Sequence, residues 1–252
     1  MTMISLLDAE GNVVAKAEGN EVSFDVKDVH LWDGLADPYL YTLKAELSVN
    51  GKVVDEISPI NTAHWFFGFE NCTTFDLEKL NTSNVTNMSG MFDGAGYSVT
   101  TFELDLSSWD TSNVTNMGTM FWKAGYDATT FKLDLTSWDT SNVTNMEHMF
   151  DEAGYNATNW LIGDLSSWNT SSVINMEYMF SYAGYNAATW SIGDISSWNT
   201  LNVTNMDKMF YYAGYNAIFS LDLSGWNVDL VTKHSMFNNG VTSKITPPTW
   251  IN

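Results

Sequence analysis

Two residue series recur at matched positions and have the composition of binding sites. Asp76, Asp105, Asp134, Asp164, Asp194 and Asp222 occupy one place in a repeated pattern, and Trp109, Trp138, Trp168, Trp198 and Trp226 follow a few residues later. Strands in a sheet lie about 4.8 Å apart, and unit charges at that spacing repel by roughly 1 kcal/mol even in water. A column of carboxylates therefore has to be offset. Each aspartate can accept backbone N–H bonds from the Ser-Ser loop after it, as in an Asx-turn, or the column can hold cations or face a basic partner. Hard oxygen ligands would favour Ca²⁺, but no calcium-loop motif accompanies the series, so the turn reading needs fewer assumptions. The tryptophans are either an aromatic strip for sugar rings or equivalent rungs of a core. Leu80 stands at the tryptophan position of the first copy, which suits packing better than stacking on a ligand.

Other repeated polar residues read more simply. Asp110 and Asp139 give way to Asn169, Asn199 and Asn227, so that position needs an acceptor and no charge. Thr82, Thr111, Thr140, Thr170 and Thr200 form a series of the kind that could bind ice, but the drifting repeat length argues against a flat array. Asn87, Asn116, Asn145, Asn175 and Asn205 never vary, and a stacked amide ladder between adjacent copies accounts for them. His30, His64, His148 and His234 lack metal-ligand spacing. No phosphate loop, nucleophile elbow or paired-histidine motif is present, and no enzyme activity and no cofactor are expected. The N-x-Ser/Thr triplets at Asn84, Asn113 and Asn142 arise from the repeat itself.

These residues sit on elements that the same periodicity defines. A Met-Phe pair begins at Met91, Met120, Met149, Met179, Met209 and Met236, in steps of 29, 29, 30, 30 and 27 residues, which marks a repeat array. Within one copy, Thr100 to Leu106 alternates, with Phe102, Leu104 and Leu106 on one side, and predicts a half-buried strand. Ser107 to Asn113 is a turn-rich loop. Asn116 to Gly125 has an N-cap type asparagine, Met117, Met120 and Phe121 at i, i+3, i+4, and a glycine suited to a C-cap, which predicts a short helix. Pairs such as Gly118-Thr119, Glu147-His148, Glu177-Tyr178 and Asp207-Lys208 vary freely and are expected on its solvated face. A strand and a helix this short cannot bury both apolar faces alone. The expected product is an α/β repeat, a right-handed leucine-rich-repeat-like solenoid of about six to seven copies over residues 61–252, with a parallel sheet on one side.

The strings LDLSSWDTSNVTNM and VTNMEHMF resemble the bacterial BspA-like leucine-rich-repeat surface proteins over about 185 residues. Cys72 matches that family's cysteine near the helix end, whereas later copies carry Ala-Gly-Tyr. The resemblance implies cell-surface or secreted localisation and adhesion or protein binding, through the strand face or the varied residues, with no common ligand.

Residues 1–60 differ in kind. Strand-length alternation broken by EGN, GN and NG turns, over SLLDAEGNVVAKAEG, EVSFDV and YLYTLKAELSVNGKVVDEIS, predicts an antiparallel β region. Val29 to Leu47 with Asn50 to Glu56 looks like part of the immunoglobulin-like sandwich of glycoside hydrolase family 2 enzymes of the β-galactosidase type. That family keeps its catalytic carboxylates in a separate barrel, so the likeness implies a fold fragment without activity. An N-terminal cap for the array is the expected role.

Composition narrows the partners. All ten basic residues are lysine, against 30 acidic ones, for a net charge of −20. A phosphate binder would carry arginine forks and a basic face, so nucleic acid is not expected as a partner. The chain contains neither an apolar run long enough to span a bilayer nor a secretory-type start. A protein or glycan ligand and a monomeric state are expected.

Overall fold

The computed structural model describes the backbone of Thr2–Leu7, Val13–Glu18, Thr42–Val49 and Lys52–Glu56, and residues 59–250 apart from Asp76, Glu78 and Lys79. The chain divides into two compact units, Met1–Pro59 and Ile60–Asn252.

The first unit carries β1 (Thr2–Leu7), β2 (Val13–Glu18), β3 (Thr42–Val49) and β4 (Lys52–Glu56) in one sheet of order β2-β1-β3-β4. Every neighbouring pair is antiparallel, with Ile4 opposite Ala17 on one side and Ala45 on the other. The strands coincide with the alternating segments between turn signals, as antiparallel pairing requires. EVSFDV lies outside the described residues.

The second unit is a stack of coils. β5 (Thr101–Glu103), β6 (Thr130–Lys132) and β7 (Asn159–Leu161) form a parallel sheet in strict register, Phe102 beside Phe131 beside Trp160. β8 (Leu221–Asp222) and β9 (Ile245–Thr246) form a second parallel pair. A separate ladder of parallel bridges runs through Asn61, Asn87, Asn116, Asn145, Asn175, Asn205 and Lys233. The invariant asparagines thus sit where each coil is hydrogen-bonded to the next.

The core is built of columns, one side chain per coil. Phe92, Phe121, Phe150, Phe180 and Phe210 stack at 5.3–5.6 Å between centroids. Phe102, Phe131, Trp160 and Trp190 form a second column at 5.5–6.3 Å. The paired methionines and Leu106, Leu135, Leu165, Ile195 and Leu223 are buried around them. An array of this kind gains its stability from neighbour to neighbour, because no coil encloses a core by itself.

The predicted helix does not form, and among the described residues there is no helix. From Asn116 onward the chain makes consecutive tight turns. Met120, Trp122 and Ala124 donate their N–H groups three residues back, to Met117, Thr119 and Phe121, at 3.1–3.3 Å. The residues between them, Met117, Thr119, Phe121 and Lys123, instead donate to carbonyls of the following coil, at 2.7–3.0 Å. An α-helix as short as this would leave its first four amides and its last four carbonyls without partners inside it. Alternation of local and axial bonds satisfies both sets. The i, i+3, i+4 apolar spacing reported correctly which residues turn inward, since Met117, Met120, Phe121 and Ala124 are all buried. It carried no information about the bonding.

Candidate functional site

The turns place side chains at backbone positions that resist most residues. One column of left-handed residues comprises His64, Gly90, Thr119, His148, Tyr178, Lys208 and Met236, with φ between 52° and 60°. A second comprises Gly68, Gly94, Lys123, Glu152, Tyr182, Tyr212 and Gly240. An L-residue there costs roughly 1–2 kcal/mol relative to the right-handed region, and glycine avoids the cost. The first column coincides with the second member of the varied pairs, and the residues of the second column, which the sequence pattern had not singled out, also differ from coil to coil. Apart from buried Gly118, the pairs expected on a solvated face are half-buried, because residues of the neighbouring coils flank them.

The varied columns carry a graded chemistry. His148 stacks on Tyr178 at 4.5 Å and its Nδ1 lies 2.8 Å from Asp151 Oδ2. The Lys208 ammonium lies over the Tyr178 ring at 4.7 Å and donates to its hydroxyl, an interaction that raises the lysine pKa. Tyr182 and Tyr212 stack at 5.4 Å, with Tyr211 edge-on to both. Burial, with Tyr211 adding to it, pushes the Tyr182 hydroxyl up to about 12, so it remains a hydrogen-bond donor at neutral pH. Asp93, buried one residue before Gly94, is pushed up to about 6 by desolvation, which His64 and Lys123 partly oppose. Lys123 pairs with Glu152 at 4.0 Å.

Beside these columns runs a tyrosine stack whose members stand in the sequence within the Ala-Gly-Tyr strings. Tyr97, Tyr126, Tyr155, Tyr185 and Tyr215 lie 4.8–5.0 Å apart and within 10° of parallel. Next to it Asn216, Asn186 and Asn156 each donate a side-chain amide hydrogen to the oxygen of the residue one coil back, ending on Asp127, at 2.8–3.0 Å. The amide ladder expected at the invariant asparagines therefore lies elsewhere. At those positions only Asn145 reaches Asn116, at 3.2 Å, while Asn175 and Asn205 donate to Glu147 and Glu177. Their shared task is that Oδ1 accepts the N–H two residues on, as Asn116 does from Gly118 at 2.9 Å. The strict period of the tyrosines was the available signal.

The aspartate series lies exposed along the strand side, apart from Asp76, which is outside the described residues. Asp105, Asp134, Asp164, Asp194 and Asp222 each accept the N–H two residues on, at 2.9–3.1 Å. Hydrogen bonds from that same serine hold Asp105, Asp164, Asp194 and Asp222 below the usual carboxylate range. Each turn N–H is accepted by Oδ1. Among the described residues no three acidic, histidine or cysteine side chains converge as a metal centre requires.

The tryptophan series is buried. Trp109, Trp138, Trp168, Trp198 and Trp226 are 3–4% exposed and stack face to face at 6.1–6.5 Å. Trp168, Trp198 and Trp226 donate Nε1–H to Leu135, Leu165 and Ile195 carbonyls at 3.0 Å. Both ring faces are covered by protein, so the alternative of a glycan strip on these residues fails on geometry. The threonines are likewise internal: Thr111, Thr140, Thr170 and Thr200 donate to the next coil's Asp139, Asn169, Asn199 and Asn227 carbonyls at 2.7–3.1 Å.

Among the described residues no helix is long and apolar enough to cross a membrane. Residues 4–60 match the family model for glycosyl hydrolases family 2. No curated protein and no solved structure matches the chain. Residues 61–183 and, overlapping them, 126–250 match the model described as Mycoplasma protein of unknown function, DUF285, and with most of its length so covered the chain belongs to that family of repeat proteins.

Proposed function

We propose that this chain is a non-catalytic recognition module of a bacterial cell-surface or secreted protein, which binds a protein partner as a monomer through its varied turn columns. The supporting observation is the occupancy of the left-handed positions. Gly90 and Gly94 show that the fold accepts glycine there, yet later coils hold His148, Tyr178, Lys208, Glu152, Tyr182 and Tyr212 at φ of 52–58°. Strain of that kind persists where side chains serve a purpose other than folding. Tyrosine with a sparse set of charges is also the composition that rigid protein-binding surfaces favour. The likeness of the repeat to BspA-like surface proteins agrees with an adhesive role.

The test uses the full chain as bait against bacterial and host surface extracts, beside a variant with Tyr178, Tyr182, Lys208 and Tyr212 all changed to glycine. Glycine relieves the strain, so the variant should still melt cooperatively. Proteins retained by the wild type and lost by the variant are the expected result. Identical retention by both baits, or none by the wild type, overturns the proposal.

A further inference from the structure

The parallel ladder on the strand side is interrupted between the coils of Trp190 and Phe219, where the repeat lengths differ by two residues. From Asn175 to Asp194 the chain takes 19 steps, as it does from Asn145 to Asp164, but Asn205 reaches Asp222 in 17. The longer copies accommodate their extra residue at Gly163 and Gly193, with φ of 86° and 81°. Neighbours of equal length, or differing by one residue, still pair: Leu135 N–H, in a copy of 18 steps from Asn116 to Asp134, reaches Ile162 O at 3.2 Å, and Leu165 N–H reaches Ile192 O at 2.9 Å. Among the described residues no backbone hydrogen bond joins 190–195 to 219–223, and pairing resumes one coil later, where Leu221 N–H meets Lys244 O and Leu223 N–H meets Thr246 O, both at 2.9 Å.

The mismatch leaves a cleft of about 700 Å³ between these two coils. Its floor is aromatic, with Phe219 tilted against Trp190 at 4.7 Å between centroids. Leu221, only half-buried, extends the apolar floor, and Ile218, which precedes Phe219 in the chain, is 95% exposed. An isoleucine that bare, next to a half-exposed phenylalanine, is an apolar patch without a partner. Asp194 and Asp222 stand on the two walls. Serine hydrogen bonds keep both carboxyls below the usual range, so both are ionised at neutral pH.

We propose that this cleft, framed by Asp194, Asp222 and Phe219 and flanked by Ile218, the residue before Phe219, takes an extended peptide segment in which a lysine or arginine neighbours an aliphatic side chain. The aliphatic group covers Phe219 and Ile218, and the cation lies between the two carboxylates. The peptide main chain meets the backbone groups left unpaired by the interrupted ladder, which is how sheet edges capture strands. Charge complementarity selects the occupant, because two carboxylates in a chain of net charge −20 attract a basic segment and repel an acidic one. The site is separate from the turn columns and its occupancy does not depend on them.

The test measures fluorescence anisotropy of a labelled hexapeptide alternating leucine and lysine, titrated with the full chain. Saturable binding is expected, weakened at least tenfold by Asp194→Asn together with Asp222→Asn, and several-fold by Ile218→Ser. Asparagine keeps the turn acceptor, as Asn169, Asn199 and Asn227 do at 3.0–3.1 Å, so the fold survives. Asp134→Asn, in the same column outside the cleft, should leave binding unchanged, and a hexapeptide with glutamate for lysine should not bind. The four-glycine variant of the turn columns should bind like the wild type, which separates this result from that of the extract experiment. Absence of saturable binding, an equal loss in Asp134→Asn, or displacement of the peptide by maltohexaose overturns the proposal.

Discussion

The tryptophan column and the tyrosine column are both aromatic series printed once per repeat, yet their surroundings differ. The tryptophans are covered on both faces, and three of their N–H groups end on carbonyls of the preceding coil at 3.0 Å. The tyrosines Tyr97 to Tyr185 are half-buried, and Tyr215, at 41% exposure, opens further to solvent. Their faces are used up by one another, so edges and hydroxyls are what a partner would meet. Regular repetition marks what stacking demands, and it does so equally on both sides of the wall. Recognition is better sought where stacking tolerates variation, in the left-handed columns between the two series.

The contrast can be broken most severely from the inside. Trp168→Ala should cost about 3–5 kcal/mol, the range for emptying a packed aromatic site, read as a lowered midpoint in urea unfolding. Tyr155→Ala, at the matching height in the outer column, should cost about 1 kcal/mol, since it forfeits stacking without opening a cavity. Equal losses would mean that the tyrosine stack is core in all but exposure.

Gly154→Ala comes next. Its φ is 55°, and an added Cβ would lie 2.7 Å from Phe131 Cβ. Left-handed strain of roughly 1–2 kcal/mol and crowding of the aromatic column should together lower stability by about 2–4 kcal/mol. The reverse change at a varied position, Tyr182→Gly, should be near neutral, and a thermal melt of each variant decides the point.

The turn side should also respond to pH where the tryptophan column does not. The folded-state pKa of Asp93 is pushed up from 3.8 to about 6, so the native state binds this proton more tightly than the unfolded chain. Its contribution is therefore favourable below about pH 4 and is lost as pH rises through 6, by on the order of 1–3 kcal/mol. Asp93→Asn should flatten the stability profile over that interval and raise stability above it. A profile that keeps its slope in the variant would assign the titration to another group.

The smallest effect is expected at the exposed aspartates. Asp134→Asn preserves the Oδ1 acceptor for Thr136, now at 3.1 Å, and should change stability by less than about 0.5 kcal/mol. A larger gain would show that like-charge repulsion along the column, which the turns alone leave in place, weighs on the fold.

Much of this architecture was legible in the letters. The Met-Phe period located the coils, the alternation around Phe102 located the strand, and substitution of leucine for tryptophan at position 80 pointed to packing. Exchange of Asp110 for asparagine in later copies identified turn chemistry, and Ser112 N–H indeed donates to Asp110 at 3.0 Å. The helix at Asn116 was misread because apolar spacing reports which side chains turn inward, while the choice between helical and axial hydrogen bonds depends on whether a neighbouring coil offers carbonyls. The cleft at Asp194 was present in the sequence only as an irregular step.

The sequence by itself determined the repeat, the inward-facing residues and the positions free to vary, because these follow from side-chain type and spacing along one chain. Only the tertiary structure decided the rest: that the turns are left-handed and bonded along the stack, that the tyrosines close into a column, and that unequal repeat lengths open a cleft. Each of those depends on a partner about 29 residues away in sequence and a single strand spacing away in space, a distance that no local pattern records.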